Sequence, residues 1–487
     1  MKRILLCVLC ALFATTAFAQ NFPLSLKAKT LKAIDIYKKG TELEFVGLRY
    51  VPMNERTKEF DPSSGKTVLF EFLVKNDYPI RVYRSHLKQL EFEENSLDEM
   101  WQKLIVTQLL PYYSDHGFMT DLRRENEEEA LGYLNKLSSM GLQVEDPHLE
   151  SYIYGLLHKI LPKDLPLMRE TDLNVFIAKD LSMCSYVYPN GTILLNTGLL
   201  ASLHNEDELV AVLAQGVVHY VLDHDLKNIR RQIQRQKRAA FWGALLTGVT
   251  AGVEIAAAAN GSYSTPGLAT SGMAILTLAI ASEVATRLGL NYDPDQIYDA
   301  DRYARAVLGY LGYDNEALAS VDKILKSNNE LAVIGCEPGY VPARIDPNFE
   351  RMMSGMVSQV AAMKYAMRRF SQCMTFVDQN IENGVATATD YLLKAHCLLN
   401  TDGSCGATQQ ALGMVARAKE VAPNLIDVHR TEIIAVLRLG DRARARELLA
   451  AYRASLLDAN SRLMPDGRYE VREKELDWVR DMLLKLD

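Results

Sequence analysis

One stretch, residues 205–224, constrains the fold more than any other part of this chain. It reads NEDELVAVLAQGVVHYVLDH. Asn205 can cap a helix, and Glu208 three residues later completes a capping-box pattern. Acidic residues at 206–208 suit the positive end of a helix dipole. Apolar side chains recur at i, i+3, i+4 and i+7, which predicts a helix with one buried face. Gln215 and His219 are four residues apart and share one face of that helix.

Length and composition indicate that this helix belongs to a large globular protein. The chain has 487 residues, enough for two to four domains, and is 48% hydrophobic and 24% charged. Its net charge of −7 gives no reason to expect nucleic acid as a partner.

The first nineteen residues have the pattern of a secretory signal. Lys2 and Arg3 precede an apolar run over 4–13, and Ala17-Phe18-Ala19 ends the segment before Gln20. The cysteines inside the apolar run lack the small-residue context of a lipoprotein signal. We therefore expect a cleaved, soluble product with its mature N-terminus at or near Gln20, in preference to a lipid-anchored one.

Five cysteines follow the signal. They are Cys184, Cys336, Cys373, Cys397 and Cys405. This odd number leaves at least one thiol unpaired within a monomer. The sequence has no Cys-x-x-Cys, which argues against a cysteine-based zinc site or redox motif. Most of these cysteines are expected to be small buried hydrophobic residues, and the sequence leaves their pairing open.

The region over 20–95 is predicted to be a small β module. Strand-like runs at 42–46, 67–72 and 80–83 surround a turn cluster at 61–65, and a small SH3-like barrel is the expected shape. Helical patterns follow over 97–161, with an acidic run at 125–129 on a face expected to contact solvent.

A second set of strands precedes the central helix. Residues 172–177 have a strand pattern, and Pro189-Asn190-Gly191 predicts a hairpin within 186–195. After the central helix, Pro294 and Gly312 mark the expected start and end of another helix.

Two apolar segments lie between these helices. Residues 241–259 are almost continuously apolar or small, about the span of a bilayer, but include Glu254, whose charge is costly in lipid. A buried or surface-associated hairpin with 272–281 is favoured over a membrane span. Contact of 241–281 with a membrane surface stays open.

The C-terminal region, 365–487, is predicted to be helical and repetitive. Ala411, Val415 and Ala418 recur as Ala445, Leu449 and Tyr452, a period of 34 residues. This period and the small residues are typical of tetratricopeptide repeats. An ordinary bundle of helical hairpins is the alternative.

Residues 172–352 resemble the HtpX and CaaX-prenyl-protease type of zinc endopeptidase (peptidase family M48). The resemblance is carried by YVYPNGTILLNTGLLASLHNEDELVAVLA, by His219 and by Ala-Asp-Arg at 300–302. With a secretion signal before this region and repeat-like helices after it, the chain is similar to the periplasmic members that take part in quality control of outer-membrane proteins. The resemblance implies an α+β, mostly helical fold with a gluzincin-like core over 96–364, between the β module and the repeats.

The resemblance also implies which positions hold the chemistry. The family's first zinc-binding His falls on Gln215, its catalytic Glu on Gly216 and its second His on His219. The third ligand, the Glu of Glu-x-x-x-Asp, falls on Ile297, and that motif's Asp falls on Asp301. A His-Pro and a downstream Arg of the periplasmic relatives correspond loosely to Asp346-Pro347 and Arg351.

Three functions are compatible with these positions. Catalytic zinc needs about three protein ligands and an open position for water, and glycine cannot act as a general base. We expect no cofactor and a polypeptide-binding pseudopeptidase whose partners are polypeptides or components of outer-membrane assembly. The alternatives are an active zinc metalloendopeptidase with an atypical site, rebuilt around His219 by Asp223, His224 or Asp299, and a scaffold that binds protein through its repeats alone.

Overall fold

The computed structural model describes residues 20–21, 26–34, 36–52, 66–75, 79–110, 116–161, 173–183, 185–235, 288, 290–333, 344–401, 404–458 and 469–486. The fold is mostly helical with a small N-terminal antiparallel sheet, which confirms the predicted balance of elements. The predicted signal, the turn at 61–65 and the apolar segments 241–259 and 272–281 lie outside the described residues. Among the helices in the described ranges, none is long and apolar enough to cross a membrane.

The N-terminal sheet has six antiparallel strands. They are β1 (Gln20–Asn21), β2 (Lys27–Thr30), β3 (Glu42–Pro52), β4 (Lys66–Val74), β5 (Ile80–Tyr83) and β6 (Leu90–Phe92). Their order is β5-β4-β3-β2-β6, and β1 also pairs with β3. Alternate residues of β3 and β4, such as Phe45 and Phe72, are buried, as the period of two requires. The three predicted strand runs are confirmed, and the SH3-like shape stays a prediction.

Three helices connect this sheet to the centre of the molecule. They are α1 (Leu97–Leu104), α2 (His116–Ser139) and α3 (Pro147–Ile160). Trp101 of α1 is fully buried and donates from Nε1 to the carbonyl of Ile160 at 2.9 Å. In the acidic run, Glu125 and Glu128 are exposed, whereas Asn126 is buried. Only part of the acidic run therefore faces solvent, although the whole run was expected to.

A three-stranded mixed sheet precedes the central helix. It comprises β7 (Asn174–Ala178), β8 (Ser185–Val187) and β9 (Thr192–Asn196), with β9 parallel to β7 and antiparallel to β8. Gly191 has a φ of 80° in the turn between β8 and β9, which explains the glycine of the predicted hairpin. A short helix, α4 (Thr197–Ser202), leads directly from β9 to the central helix.

The central helix, α5 (Glu206–Val221), packs against α7 (Pro294–Leu311) and α8 (Ala317–Val333), and is followed by α6 (His224–Arg235). Asn205 caps α5, because its Oδ1 accepts from the Glu208 amide at 2.9 Å. The predicted capping box is half right: the Glu208 carboxylate accepts from the amide of His204 instead, at 2.6 Å. Helix α7 begins at Pro294 and ends before its cap Gly312, which has a φ of 80°, as predicted; Asp293 also forms a complete capping box at its start.

The C-terminal helices pack in chain order. They are α9 (Pro347–Ala366), α10 (Phe370–Glu382), α11 (Ala388–Thr401), α12 (Cys405–Val421), α13 (Ile426–Arg438), α14 (Arg442–Leu457) and α15 (Tyr469–Leu486). The residues that recur after 34 positions are all buried in α12 and α14. The predicted boundary at 364/365 falls in the last turn of α9. Assignment of these helices to tetratricopeptide repeats stays a prediction.

Candidate functional site

The central helix presents one partly exposed stripe. From Glu208 to Val221 every residue is buried except Gln215, Gly216 and His219. These are the three positions that the resemblance implies for the chemistry, and they lie on one face because residues four apart stack along a helix. The prediction that Gln215 and His219 share one otherwise buried helix is confirmed.

Gln215 is tied to the neighbouring helix α7. Its side-chain Nε2 donates to Oδ1 of Asp301 at 2.6 Å, and both residues are partly buried. The fold therefore brings Asp301, which the resemblance matches to the Asp of the Glu-x-x-x-Asp motif, into direct contact with the first ligand position. A carboxamide N–H here supplies the donor that the carboxylate requires.

His219 belongs to a cluster of three rings. Its ring stacks on Tyr292, with centroids 3.6 Å apart and planes 9° apart, and its Nδ1 lies 2.8 Å from Nδ1 of His224. In such a pair one nitrogen carries the hydrogen and the other accepts it. Burial lowers the pKa of His219 to about 3. Burial, the His219 ring and the charges of Lys227 and Arg231 lower the pKa of His224 to about 2. Both imidazoles are therefore neutral at pH 7.

Gly216 makes room for strand β8. A Cβ built on Gly216 would lie 2.6 Å from Cγ2 of Val187. This is far inside the 3.5–4.0 Å of a normal carbon–carbon contact. Strand β8 forms one edge of the mixed sheet, so the glycine lets this edge lie directly against the helix. No local sequence pattern indicates this contact, because it joins two residues far apart along the chain.

Ile297 lies on helix α7, one turn before Asp301, and its surface is 48% exposed. The expected second helix is thus present and packs on α5. That Ile297 faces Gln215 and His219 from this second helix stays a prediction; about half of the Ile297 surface lies in solvent. Arg351, on α9, is also exposed, and its neighbours Asp346 and Pro347 form the cap and first turn of that helix.

The residues considered for a rebuilt site divide into two groups. His224 does meet His219 through their Nδ1 atoms. Asp223, in contrast, has a φ of 51° and forms a buried ion pair with Arg123 of α2. Burial raises the pKa of Asp299, and the positive charge of Lys227 only partly opposes this rise. Within the described ranges, no three His, Cys, Asp or Glu side chains converge as a metal site.

One residue that helps to position the site was not identified from the sequence. Arg344 donates to the carbonyls of Ala201 and Leu203 at 2.6 and 2.8 Å, and pairs with Glu350 of α9 at 3.2 Å. It thereby joins α9 to the loop that leads into the central helix. Nothing in the local sequence distinguishes this arginine from a surface one.

The site defines the class of protein. A central helix carries the partly exposed stripe, a second helix places Asp301 behind it, and a small sheet lies against its glycine. This is the arrangement expected of a metallopeptidase-like domain. Residues 168–429, more than half of the chain, match the family model Peptidase family M48, and the chain belongs to that family. A search of curated proteins finds no match for this sequence.

Proposed function

We propose that this protein is an exported, periplasmic member of its family, of the HtpX and CaaX-prenyl-protease type, that binds polypeptide without hydrolysing it. The observation that carries the proposal is the set of side chains on the exposed stripe of α5. Gln215, Gly216 and His219 stand where the family has two zinc ligands and a general base, and Ile297 stands where it has the third ligand.

The donor set does not fit a catalytic zinc ion. Such an ion takes about three protein ligands, mainly imidazole, thiolate or carboxylate. The Gln215 amide nitrogen is engaged with Asp301, and Ile297 has no donor atom. His219 offers one imidazole, whose Nδ1 is already paired with His224. Gly216 cannot take a proton from water. The side chains of the stripe therefore support no metal-dependent step of hydrolysis.

Polypeptide binding draws support from two surfaces. The edge strand β8 lies beside the stripe of α5, and an edge strand presents backbone groups to which an extended chain can pair. The C-terminal helices pack in sequence and bury the residues of the 34-residue period, as stacked tetratricopeptide-like repeats would. An unfolded outer-membrane protein or an assembly component is the proposed partner, and 241–281 is a candidate contact with the membrane surface.

The alternative with a specific observation behind it is an active endopeptidase with an atypical zinc site. His219 and His224 bring two imidazole rings together, so two ligand nitrogens are already close. Incubation of the purified protein with a casein-like substrate, with and without a zinc chelator, separates the two functions. We expect neither chelator-sensitive cleavage nor stoichiometric zinc in elemental analysis. Cleavage that stops when zinc is removed would establish the alternative.

Matched variants make the metal measurement specific. His219→Ala removes the ring at the stripe, and His148→Ala removes an exposed histidine of α3 as the control. Zinc that is lost in the first variant and kept in the second would locate it at the stripe and contradict the proposal. For the scaffold alternative, casein binding that depends on 371–487 alone would assign recognition to the helices rather than to the stripe.

A further inference from the structure

Two cysteines meet where the C-terminal helices join the rest of the protein. Cys373 of α10 and Cys397 of α11 are both fully buried, and their side chains form a hydrogen bond. The two helices are consecutive and pack against each other. Tyr365, at the end of α9, is close enough to both thiols that each raises the pKa of its phenol, although burial raises it more.

This pair occupies a junction between two hydrophobic cores. Cys373 and Cys397 belong to the large core that includes the central helix and the N-terminal sheet. Ala395 and Leu399, on another face of α11, belong to the separate core shared with α12 and α13. Helix α11 is therefore the element through which the later helices are attached.

We infer that Cys373 and Cys397 form a disulfide that ties α11 to α10 when the protein folds in an oxidising compartment. The hydrogen bond puts the two thiols in contact between packed helices, which is the first condition for a disulfide between them. The third thiol in the described residues, Cys405, is exposed at the start of α12. An intramolecular pair with a separate third thiol also agrees with the odd number of mature cysteines.

The oxidant is a disulfide, such as oxidised glutathione or the active-site disulfide of a thiol oxidase. One cysteine thiolate attacks a sulfur of that disulfide, and the first reduced thiol leaves. The second cysteine thiolate then attacks the mixed disulfide, forms the Cys373–Cys397 bond and releases the second thiol. Two S–H bonds and one S–S bond are consumed, and one S–S bond and two S–H bonds are formed.

Exchange of this kind is expected during folding rather than afterwards. It requires a thiolate, and in the folded protein the hydrogen bond to Cys397 and burial raise the pKa of the Cys373 thiol. Once formed, the bond is shielded from reductants by the same burial. Formation of the disulfide therefore depends on the compartment in which the chain folds, and the inference rests to that extent on the proposed export.

Peptide mapping of the full-length chain tests the inference. The chain is refolded with oxidised glutathione, alkylated without reductant and digested with trypsin. Cleavage after Arg369, Lys394 and Arg417 places Cys373 in the peptide 370–394 and both Cys397 and Cys405 in the peptide 395–417. The Cys405→Ser variant therefore makes the assignment unique. We expect the two peptides to be disulfide-linked in this variant, and unlinked in Cys373→Ser.

A stability measurement provides the second readout. Protein that is reduced in denaturant and refolded with reductant should have a lower Tm than the oxidised protein, both in wild type and in Cys405→Ser, and Cys397→Ser should show no such difference. Correctly refolded protein in which Cys373 and Cys397 are both alkylated, or in which either is linked to a different cysteine, would overturn the inference. Because the oxidant is supplied in vitro, that result is independent of export, which is tested separately by the mature N-terminus.

Discussion

The close contact between Gly216 and Val187 leads to a prediction opposite in sign to the usual effect of glycine in a helix. Replacing a mid-helix glycine by alanine commonly stabilises a protein by about 1 kcal/mol, because alanine has the higher helix propensity. At Gly216 the new methyl group would lie 2.6 Å from Cγ2 of Val187. Separation to a normal contact requires a shift of about 1 Å between β8 and α5.

The expected magnitude is the balance of these two effects. Overpacking of a tight interior costs about 1–3 kcal/mol. Set against the gain in propensity, Gly216→Ala should lower the free energy of unfolding by about 0–2 kcal/mol. The matched control is Gly155→Ala in the middle of α3, where an added Cβ meets nothing within 4 Å. That variant should be more stable than wild type by about 1 kcal/mol.

A double-mutant cycle isolates the contact. In a Val187→Ala background the methyl group that blocks Gly216 is gone, so Gly216→Ala should become stabilising. The coupling between the two sites should be about 1–3 kcal/mol. Urea unfolding followed by far-UV circular dichroism gives all four free energies. Equal stabilisation of the wild-type protein by Gly216→Ala and Gly155→Ala, or a cycle without coupling, would refute the steric explanation.

The same observations lead to three further predictions. Export predicts a mature N-terminus at or near Gln20, and mass spectrometry that finds an intact Met1, or a lipid on Cys10, would contradict it. The folded pKa values of His219 and His224, about 3 and 2, lie below the unfolded value of 6.5. Their stability contribution is therefore present above pH 6.5 and is lost as the pH falls, by up to about 1.4 kcal/mol per pH unit for each ring. Urea unfolding between pH 6.5 and 5 measures this slope, which should be smaller in His219→Gln; an unchanged slope would argue against neutral rings. Restoring Gln215→His, Gly216→Glu and Ile297→Glu together should recover zinc binding, and each single reversion should not; adding Val187→Ala should raise the affinity by removing the steric conflict, as isothermal titration would show.

Local signals predicted the elements around the site. The cap at Asn205, the hairpin at 189–191, and the start of α7 at Pro294 and its end at Gly312 each depend on a few neighbouring residues, and each occurs where the sequence indicates. Such features are predictable because their hydrogen bonds and dihedral angles are set by residues within one turn of each other.

Contacts over long sequence distances were not predictable in the same way. The resemblance identified Gln215 and Asp301 as site positions but not their pairing, and the contact of Gly216 with Val187 was not predicted either. Periodicity identifies which face of α5 is buried, yet it does not show which side chain lies opposite each position. The exposure of Ile297 illustrates the same limit, since its place on a second helix was expected and its degree of exposure was not predicted. No local sequence pattern identifies the side chain of Arg344 as buried.

The side chains of the stripe are mutually consistent without a metal. The Gln215 carboxamide keeps an N–H donor toward Asp301, so the partly buried carboxylate retains its hydrogen bond. The two histidines share a hydrogen between their Nδ1 atoms, and stacking on Tyr292 covers one face of the His219 ring without adding charge. Loss of a divalent cation from a site lined by ionised ligands would leave repelling charges. Here a neutral amide, a neutral imidazole pair, a glycine and an isoleucine need no cation to balance them. The polar contacts of this stripe are thus satisfied by protein groups alone, as the proposed binding without hydrolysis requires.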